Sequence, residues 1–274
     1  GTLFTKVVPI DPLNLRASCA ALNPNPPPPY VVLPDVPTNV FNNSSLVKDR
    51  FNTLDTYGGR AALKVDLNSG WSITPSVIYQ HQKANGDFAF NPNVGDVKGI
   101  EFRPPSNLDY WYQAALVVEG KIGNFDALYS GGYFERRTDN EVDYTDYTIG
   151  YDQFASGYTR FYDAAGNLLP PTMDPTQYTV NHDKYTKNNH EIRFTSPTDK
   201  RLRWVGGAFL QRQTDNIRAE FRIDGLPLAY QVDGQGEIVY LSQQDRIDRY
   251  SALFTDLTYD LTDKLKISGG IREF

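Results

Sequence analysis

From Thr56 onward the chain alternates apolar and polar residues in runs of about ten, and the runs come in pairs joined by tight polar turns. Thr56–Leu67 turns at Asn68-Ser69-Gly70 into Trp71–Gln82, and Asp109–Lys121 turns at Gly123-Asn124 into Phe125–Arg137. Asn188–Ser196 turns at Pro197-Thr198-Asp199-Lys200 into Arg203–Thr214, and Arg246–Leu261 turns at Thr262-Asp263 into Lys264–Phe274. The connections between pairs, residues 83–108, 138–187 and 215–245, are far longer. Tight turns on one side and long connections on the other are the pattern of an outer-membrane barrel. The sequence therefore predicts an all-β fold: an antiparallel transmembrane β-barrel segment of about eight long strands in four hairpins, with short periplasmic turns and long extracellular loops.

Alternation gives each strand two faces. Ala61, Leu63, Val65 and Leu67 fall opposite Arg60, Ala62, Lys64 and Asp66, while Trp71, Ile73, Pro75, Val77 and Tyr79 fall opposite Ser72, Thr74, Ser76 and Gln80. Leu265, Ile267, Gly269 and Ile271 oppose Lys266, Ser268, Gly270 and Arg272. A basic side chain on a lipid face near mid-bilayer costs roughly 2–4 kcal/mol, so Lys64, Lys266 and Arg272 are expected to face the lumen. Arg60, Lys121, Arg136 and Arg193 join them as lumen-facing candidates, set to bind a plug or solvate a channel, or simply paired across neighbouring strands. The phase of 203–214 stays open, because Trp204 and Val205 are adjacent. Pro75 removes a ladder donor and is read as a possible bulge. Aromatics gather at both strand ends: Trp71, Phe125 and Trp204 by the short turns, and Tyr79, Tyr110, Tyr112 and Tyr133 toward the long loops. That is the placement of interfacial girdles, or of ordinary β-propensity, which also enriches aromatics in strands.

The long connections carry their own patterns. Tyr158–Leu169 and Leu228–Leu241, each centred on a glycine turn, read as hairpins extending the parent strands. Residues 1–55 read as a long extracellular loop whose four prolines, 26–29, favour polyproline II. Tyr144, Tyr147, Tyr151, Phe154, Tyr158, Phe161 and Tyr162 form the densest aromatic stretch, suited to a planar ligand or to packing within the loop. The acidic run Asp139, Glu141, Asp143 reads as a solvated loop or a weak calcium or substrate contact, since an EF-hand's glycine and distal glutamate are missing.

Charge and composition remove several classes. The 27 basic and 33 acidic residues are interspersed, without the basic stripe that nucleic acid requires. No apolar run approaches the ~20 residues of a spanning helix. Cys19 is the only cysteine, so no internal disulfide forms. His81, His182 and His190 have no metal-ligand spacing, and no serine stands in a nucleophile elbow. The reading is a protein without catalytic site, metal or cofactor. An unclosed sheet leaves unpaired backbone in lipid, so the chain is expected to be a piece of a larger barrel.

Several segments then resemble one family. Tyr57-Gly58-Gly59-Arg60-Ala61-Ala62-Leu63-Lys64 with Trp71-Ser72-Ile73-Thr74-Pro75-Ser76 looks like the barrel of TonB-dependent outer-membrane receptors. So do His190-Glu191-Ile192-Arg193-Phe194-Thr195-Ser196 with Trp204-Val205-Gly206-Gly207-Ala208-Phe209, and Tyr250-Ser251-Ala252-Leu253-Phe254 with Leu261-Thr262-Asp263-Lys264-Leu265 and Gly269-Gly270-Ile271-Arg272. The resemblance covers most of the chain from about residue 55. It implies a partial barrel domain over 1–274, part of a 22-stranded barrel whose plug and TonB box lie outside this chain, in the outer membrane of a Gram-negative bacterium. It implies import of a scarce nutrient, foremost a ferric siderophore, driven by the TonB complex. Its partners would be outer-membrane lipid, the siderophore and TonB. A passive porin and a soluble all-β binding module stand as alternatives.

Overall fold

In the computed structural model, which describes residues 6–7, 43–68, 70–148, 165 and 176–274, the chain is almost entirely β. In chain order the strands are β1 (Lys6–Val7), β2 (Thr53–Ala62), β3 (Val65–Asn68), β4 (Trp71–Asn85), β5 (Lys98–Gly99) and β6 (Ser106–Ile122). There follow β7 (Phe125–Asp143), β8 (Gln177–Thr195), β9 (Leu202–Ile223), β10 (Ile238–Thr262) and β11 (Leu265–Glu273). The short β1 and β5 pair in parallel. All the others form one antiparallel sheet in the order β11-β10-β9-β8-β7-β6-β4-β2, with β3 continuing the β2 edge alongside β4.

Each strand therefore lies beside its neighbours in sequence, and consecutive connections alternate between the two rims. The turns β3–β4, β6–β7, β8–β9 and β10–β11 share one rim. The strand ends that bound the connections 86–105, 144–176 and 224–237 share the other, as the hairpin pattern predicts. Among the described residues the sheet is open: the outer edges of β11 and of β2/β3 have no partner.

The sheet is a single layer. Leu63, Val65, Val77, Leu265, Ile267 and Ile271 are exposed, Ile271 to 71%, and Ile73 is half-buried. The buried apolar cluster is small and sits at the long-loop rim, where Ile223 and Leu226 pack with Val239. These aliphatic residues thus do not meet inside a core between two sheets, the arrangement a soluble sandwich would require.

Pro75 does not make a bulge. Ala62 pairs with Ser76 and Val65 with Ile73, so the register is the same on both sides of the proline. Leu63 N–H still donates to Pro75 O at 3.1 Å. The reciprocal bond has no donor, because proline lacks an N–H. The edge strand loses regular pairing at residues 63–64 for that reason and resumes as β3. Register shifts occur elsewhere, between Asp66 and Asn68, between Ile238 and Tyr240, and between Asp260 and Thr262.

The strands toward the long-loop rim exceed their predicted lengths. β8 begins at Gln177 rather than 188, β9 runs to Ile223, and β10 begins at Ile238 rather than 246. The run Asp139, Glu141, Asp143 belongs to β7 and is not a solvated loop. His182 and His190 both lie within β8 rather than astride a junction. The hairpin expected over 228–241 is replaced: Leu228–Tyr230 and Val232–Gly234 are single 3-10 turns, and only from Ile238 does the chain pair, with Arg222. The hairpin expected at 158–169 and the prolines 26–29 lie outside the described residues.

Substituting Pro75→Ala supplies the missing donor. One backbone bond contributes about 1 kcal/mol, so amide exchange at Leu63 should slow roughly five-fold, with a protected amide at position 75. Rapid exchange of that amide would show that the gap at 63–64 has another origin.

Candidate functional site

Cross-strand register assigns every strand residue to one of two faces, since directly paired residues point the same way. One register row runs Trp71, Gly120, Ala127, Phe194, Gly206, Thr255, Ile271. The face it defines carries Leu63, Val65, Val77, Leu116, Val118, Ile192, Ala208, Leu253, Leu257 and Ile267. Trp204 belongs to this face and Val205 to the other, which resolves the phase of β9. The aromatics Trp71, Phe125, Trp204, Tyr79, Tyr110, Tyr112 and Tyr133 all lie on the apolar face as well. Trp71 lies across its partner Gly120, where any Cβ would collide with the indole. Phe125 and Trp204 meet edge-to-face at 6.1 Å, and Tyr112 and Tyr133 at 5.9 Å.

The opposite, polar face collects Arg60, Lys64, Lys121, Arg136, Arg193, Lys266 and Arg272. Arg136 grips Asp109 with two hydrogen bonds of 2.9 and 2.6 Å. Lys121 pairs with Asp126 at 3.2 Å, Arg193 with Glu191 at 3.9 Å and Lys266 with Asp260 at 3.9 Å. Arg272 lies within 6.0 Å of the Phe209, Tyr250, Phe254 and Phe274 rings. Arg60 and Lys64, on the edge strand, make no ion pair among the described residues. Sequence reasoning missed Arg203, which holds Asp260 by two bonds of 2.7 and 2.5 Å beside the short turns. Asp260 thereby ties β9, β10 and β11 together on this face.

The apolar band does not follow the register rows. On β4 it reaches Tyr79, whose row continues through Tyr112, Glu135, Thr186 and Thr214 to Ile247. On β9 it stops at Leu210 and on β10 at Leu253, both nearer the short turns. The band thus runs obliquely across the sheet rather than along its register.

Beyond the band, apolar residues change sides. In β9, Trp204, Ala208 and Leu210 occupy the apolar face, whereas Ile217, Ala219 and Phe221 point to the opposite face and Arg212, Arg218, Glu220 and Arg222 replace them. Glu220 accepts from Arg218 at 2.7 Å and from Arg222 at 2.9 Å. Here the face that was apolar near the short turns is charged.

The long-loop rim carries the aromatic candidates. Tyr144 and Tyr147 stack at 4.7 Å, Tyr144 meets Phe221 at 5.2 Å, and Phe221 meets Tyr240 at 5.3 Å. A strip of four rings thus runs from the 144–148 turn across β9 to β10 on the polar face. Tyr151, Phe154, Tyr158, Phe161 and Tyr162 lie outside the described residues. Phe221 and Tyr240 escaped the sequence reading, although Ile217, Ala219, Phe221 and Ile223 alternate cleanly.

A polar latch fixes the base of this strip. The Asp143 carboxylate accepts the backbone N–H groups of Phe102, Arg103 and Thr145. Arg103 donates to Asp224 at 2.6 Å and to Glu141 at 3.3 Å, and its guanidinium covers the Tyr178 ring at 3.7 Å. Tyr178 donates to Asp224 at 2.7 Å. Three connections are thereby tied to the stem formed by β7 and β8. Glu101 lies beside the latch, and burial, followed by the charges of Asp143 and Asp87, pushes its carboxyl up to about 8.

Among the described residues no cluster of His, Cys, Asp or Glu is arranged to hold a metal ion. No protein-family model matches the chain, and no curated protein matches it.

The latch should respond to pH. Because Glu101 is harder to ionise in the folded loop than in a free chain, its contribution is complete below the ordinary carboxylate range. It is lost as pH rises through about 8. A nitroxide at Asn91→Cys, in a Cys19→Ser background, should be more mobile at pH 9 than at pH 6. Glu101→Gln should remove the difference. Equal spectra at both pH values in the parent chain would show that the latch does not sense this carboxyl.

Proposed function

We propose that this sheet is part of the wall of an outer-membrane receptor barrel that captures a scarce nutrient, foremost a ferric siderophore, for import driven by the TonB complex. The observation that carries the membrane reading is the oblique apolar band on one face of a one-layer sheet. Strands crossing a hydrocarbon layer at a tilt need a lipid face that runs diagonally over their register, with aromatic girdles at its borders. The polarity switch in β9 beyond Leu210 supports the same border independently.

Further strands complete the barrel in this reading. Unpaired N–H and C=O groups at the edges of β11 and β2/β3 cannot face lipid without a cost of several kcal/mol each. The polar face then lines a lumen, where Arg136–Asp109 and Arg203–Asp260 hold the wall by ion pairs and the remaining cations are hydrated or meet a plug. The short turns are periplasmic and the long loops extracellular. The ring strip of Tyr144, Tyr147, Phe221 and Tyr240 stands at the mouth on the lumen side, where flat aromatic faces suit a catecholate-type ligand.

Two measurements test this. The chain, refolded into vesicles with nitroxides along β10, should show high oxygen accessibility at 253, 257 and 259. It should show high accessibility to a polar nickel reagent at 254, 256 and 258. A monodisperse detergent-free monomer with cooperative unfolding would overturn the membrane reading. A ferric tris-catecholate should bind this chain only weakly, because a plug supplies part of the surface. Phe221→Ala with Tyr240→Ala should weaken that binding about tenfold, the scale of losing ring contacts. Unchanged affinity would remove the strip from the ligand site.

A further inference from the structure

Directly above the apolar band, β9 and β10 set two arginines side by side. Arg212 and Arg249 are register partners on the face that carries Leu210 and Leu253, and both are exposed. Like charges directly opposite one another in a sheet repel. Here neither guanidinium makes an ion pair or side-chain hydrogen bond among the described residues. Their neighbours on this face are Thr214 and Ile247 on one side and Leu210 and Ser251 on the other, with Asn188 alongside Arg212. None of these offers a negative charge. The nearest carboxylates of β10 and β11 on this face are Asp245, already bonded to Asn216 at 2.6 Å, and Glu273, which is in register with Leu253. Elsewhere on this face Arg137 and Lys184 share Glu135 at 2.9 and 3.5 Å, and Arg218 and Arg222 share Glu220.

We propose that Arg212 and Arg249 together bind the phosphate monoester of an outer-leaflet lipid headgroup. This rests on the membrane reading above, which puts the pair in the headgroup layer. Two guanidinium groups about 5 Å apart at Cβ can each place N–H donors on one tetrahedral dianion, the charge-assisted geometry in which arginine exceeds lysine. Asn188 adds an amide donor, and His190, in register with Leu210, is bonded to Tyr129 at 2.8 Å at the edge of the band. The acyl chains of the same lipid would lie along Leu210, Ala208, Ile192 and Leu253, so one molecule meets both the cations and the apolar wall. Continuity with that wall selects a lipid over free phosphate as the occupant.

The test uses the whole chain refolded into phosphatidylcholine vesicles containing a trace of spin-labelled phosphatidic acid or spin-labelled phosphatidylcholine. The immobilised fraction of each probe reads its residence at the protein surface. Phosphatidic acid should be preferred about three-fold at low salt, and Arg212→Gln with Arg249→Gln should bring the ratio close to one, as should high salt. Arg212→Lys with Arg249→Lys should restore only part of the preference. Equal immobilisation of both probes in the parent chain would overturn the proposal. So would a preference that survives the double glutamine variant, or one abolished by millimolar inorganic phosphate, which would mark an ordinary anion site. Oxygen accessibility at 253 and 257 in the same vesicles reports the membrane reading separately. If it is high while lipid preference is absent, the headgroup site alone fails.

Discussion

Backbone pairing is the constraint on which the rest of this structure depends. From β4 to β10 every long strand is flanked on both sides by an antiparallel neighbour, and the ladder satisfies amides and carbonyls without help from solvent. In water an isolated sheet one layer thick gains little from this, because its backbone groups would hydrogen-bond water equally well. In hydrocarbon the same ladder is obligatory. A single layer also frees each face to meet a different solvent, and period-2 alternation lets one sequence serve both. The cost of breaking the ladder is visible at Pro75, where one missing donor interrupts the edge strand while the register continues unchanged.

Side-chain chemistry then follows position along each strand as well as face. Near the short turns the two faces differ sharply, with Leu265 and Ile267 against Lys266 and Arg203. Toward the long loops both faces become polar or exchange roles. Strands there are held less by a solvent contrast than by specific bonds: Asp143 gathers three amides, and Arg103 joins Asp224, Glu141 and the Tyr178 ring. Such partly buried charges contribute specificity of arrangement, since each removed partner would strand a desolvated charge. The latch is thus what allows long connections to hold Tyr144 and Tyr147 against Phe221.

This gradient explains what the sequence revealed and what it hid. The four hairpins, the tight turns, the rim assignment and the faces of Lys64, Lys266, Arg60 and Arg193 were legible, because strict alternation gives these strands two distinct faces and a one-residue slip would invert every side chain. The extra length of β8 was not, because Tyr178–Asn188 is polar on both faces and carries no period. β9 was ambiguous at Trp204-Val205 for a local reason, an apolar residue on the polar face. Only pairing with β8 and β10 decides it. The Leu228–Leu241 hairpin misled because glycines at 234 and 236 adopt positive φ (69° and 60°) within loop turns rather than at a hairpin tip. Arg103 and Asp224, far apart in sequence, carried no local signal of their contact.

The polarity switch in β9 also limits what the long-loop rim can be. If Arg212, Arg218 and Arg222 faced lipid, three cations on one strand would together cost energy on the scale of a whole protein's net stability. In the membrane reading the band therefore ends at Leu210, and the β7–β10 stem stands in water or headgroups. Once that border is fixed, Ile217, Ala219 and Phe221 lie on the opposite face, where Phe221 finds cover against Tyr144 and Tyr240. The aromatic strip is then the apolar lining that a stem acquires when its outer face turns polar. Its rings remain partly open, with Tyr240 58% exposed and Tyr147 37%. That open area faces the same side as the charged wall.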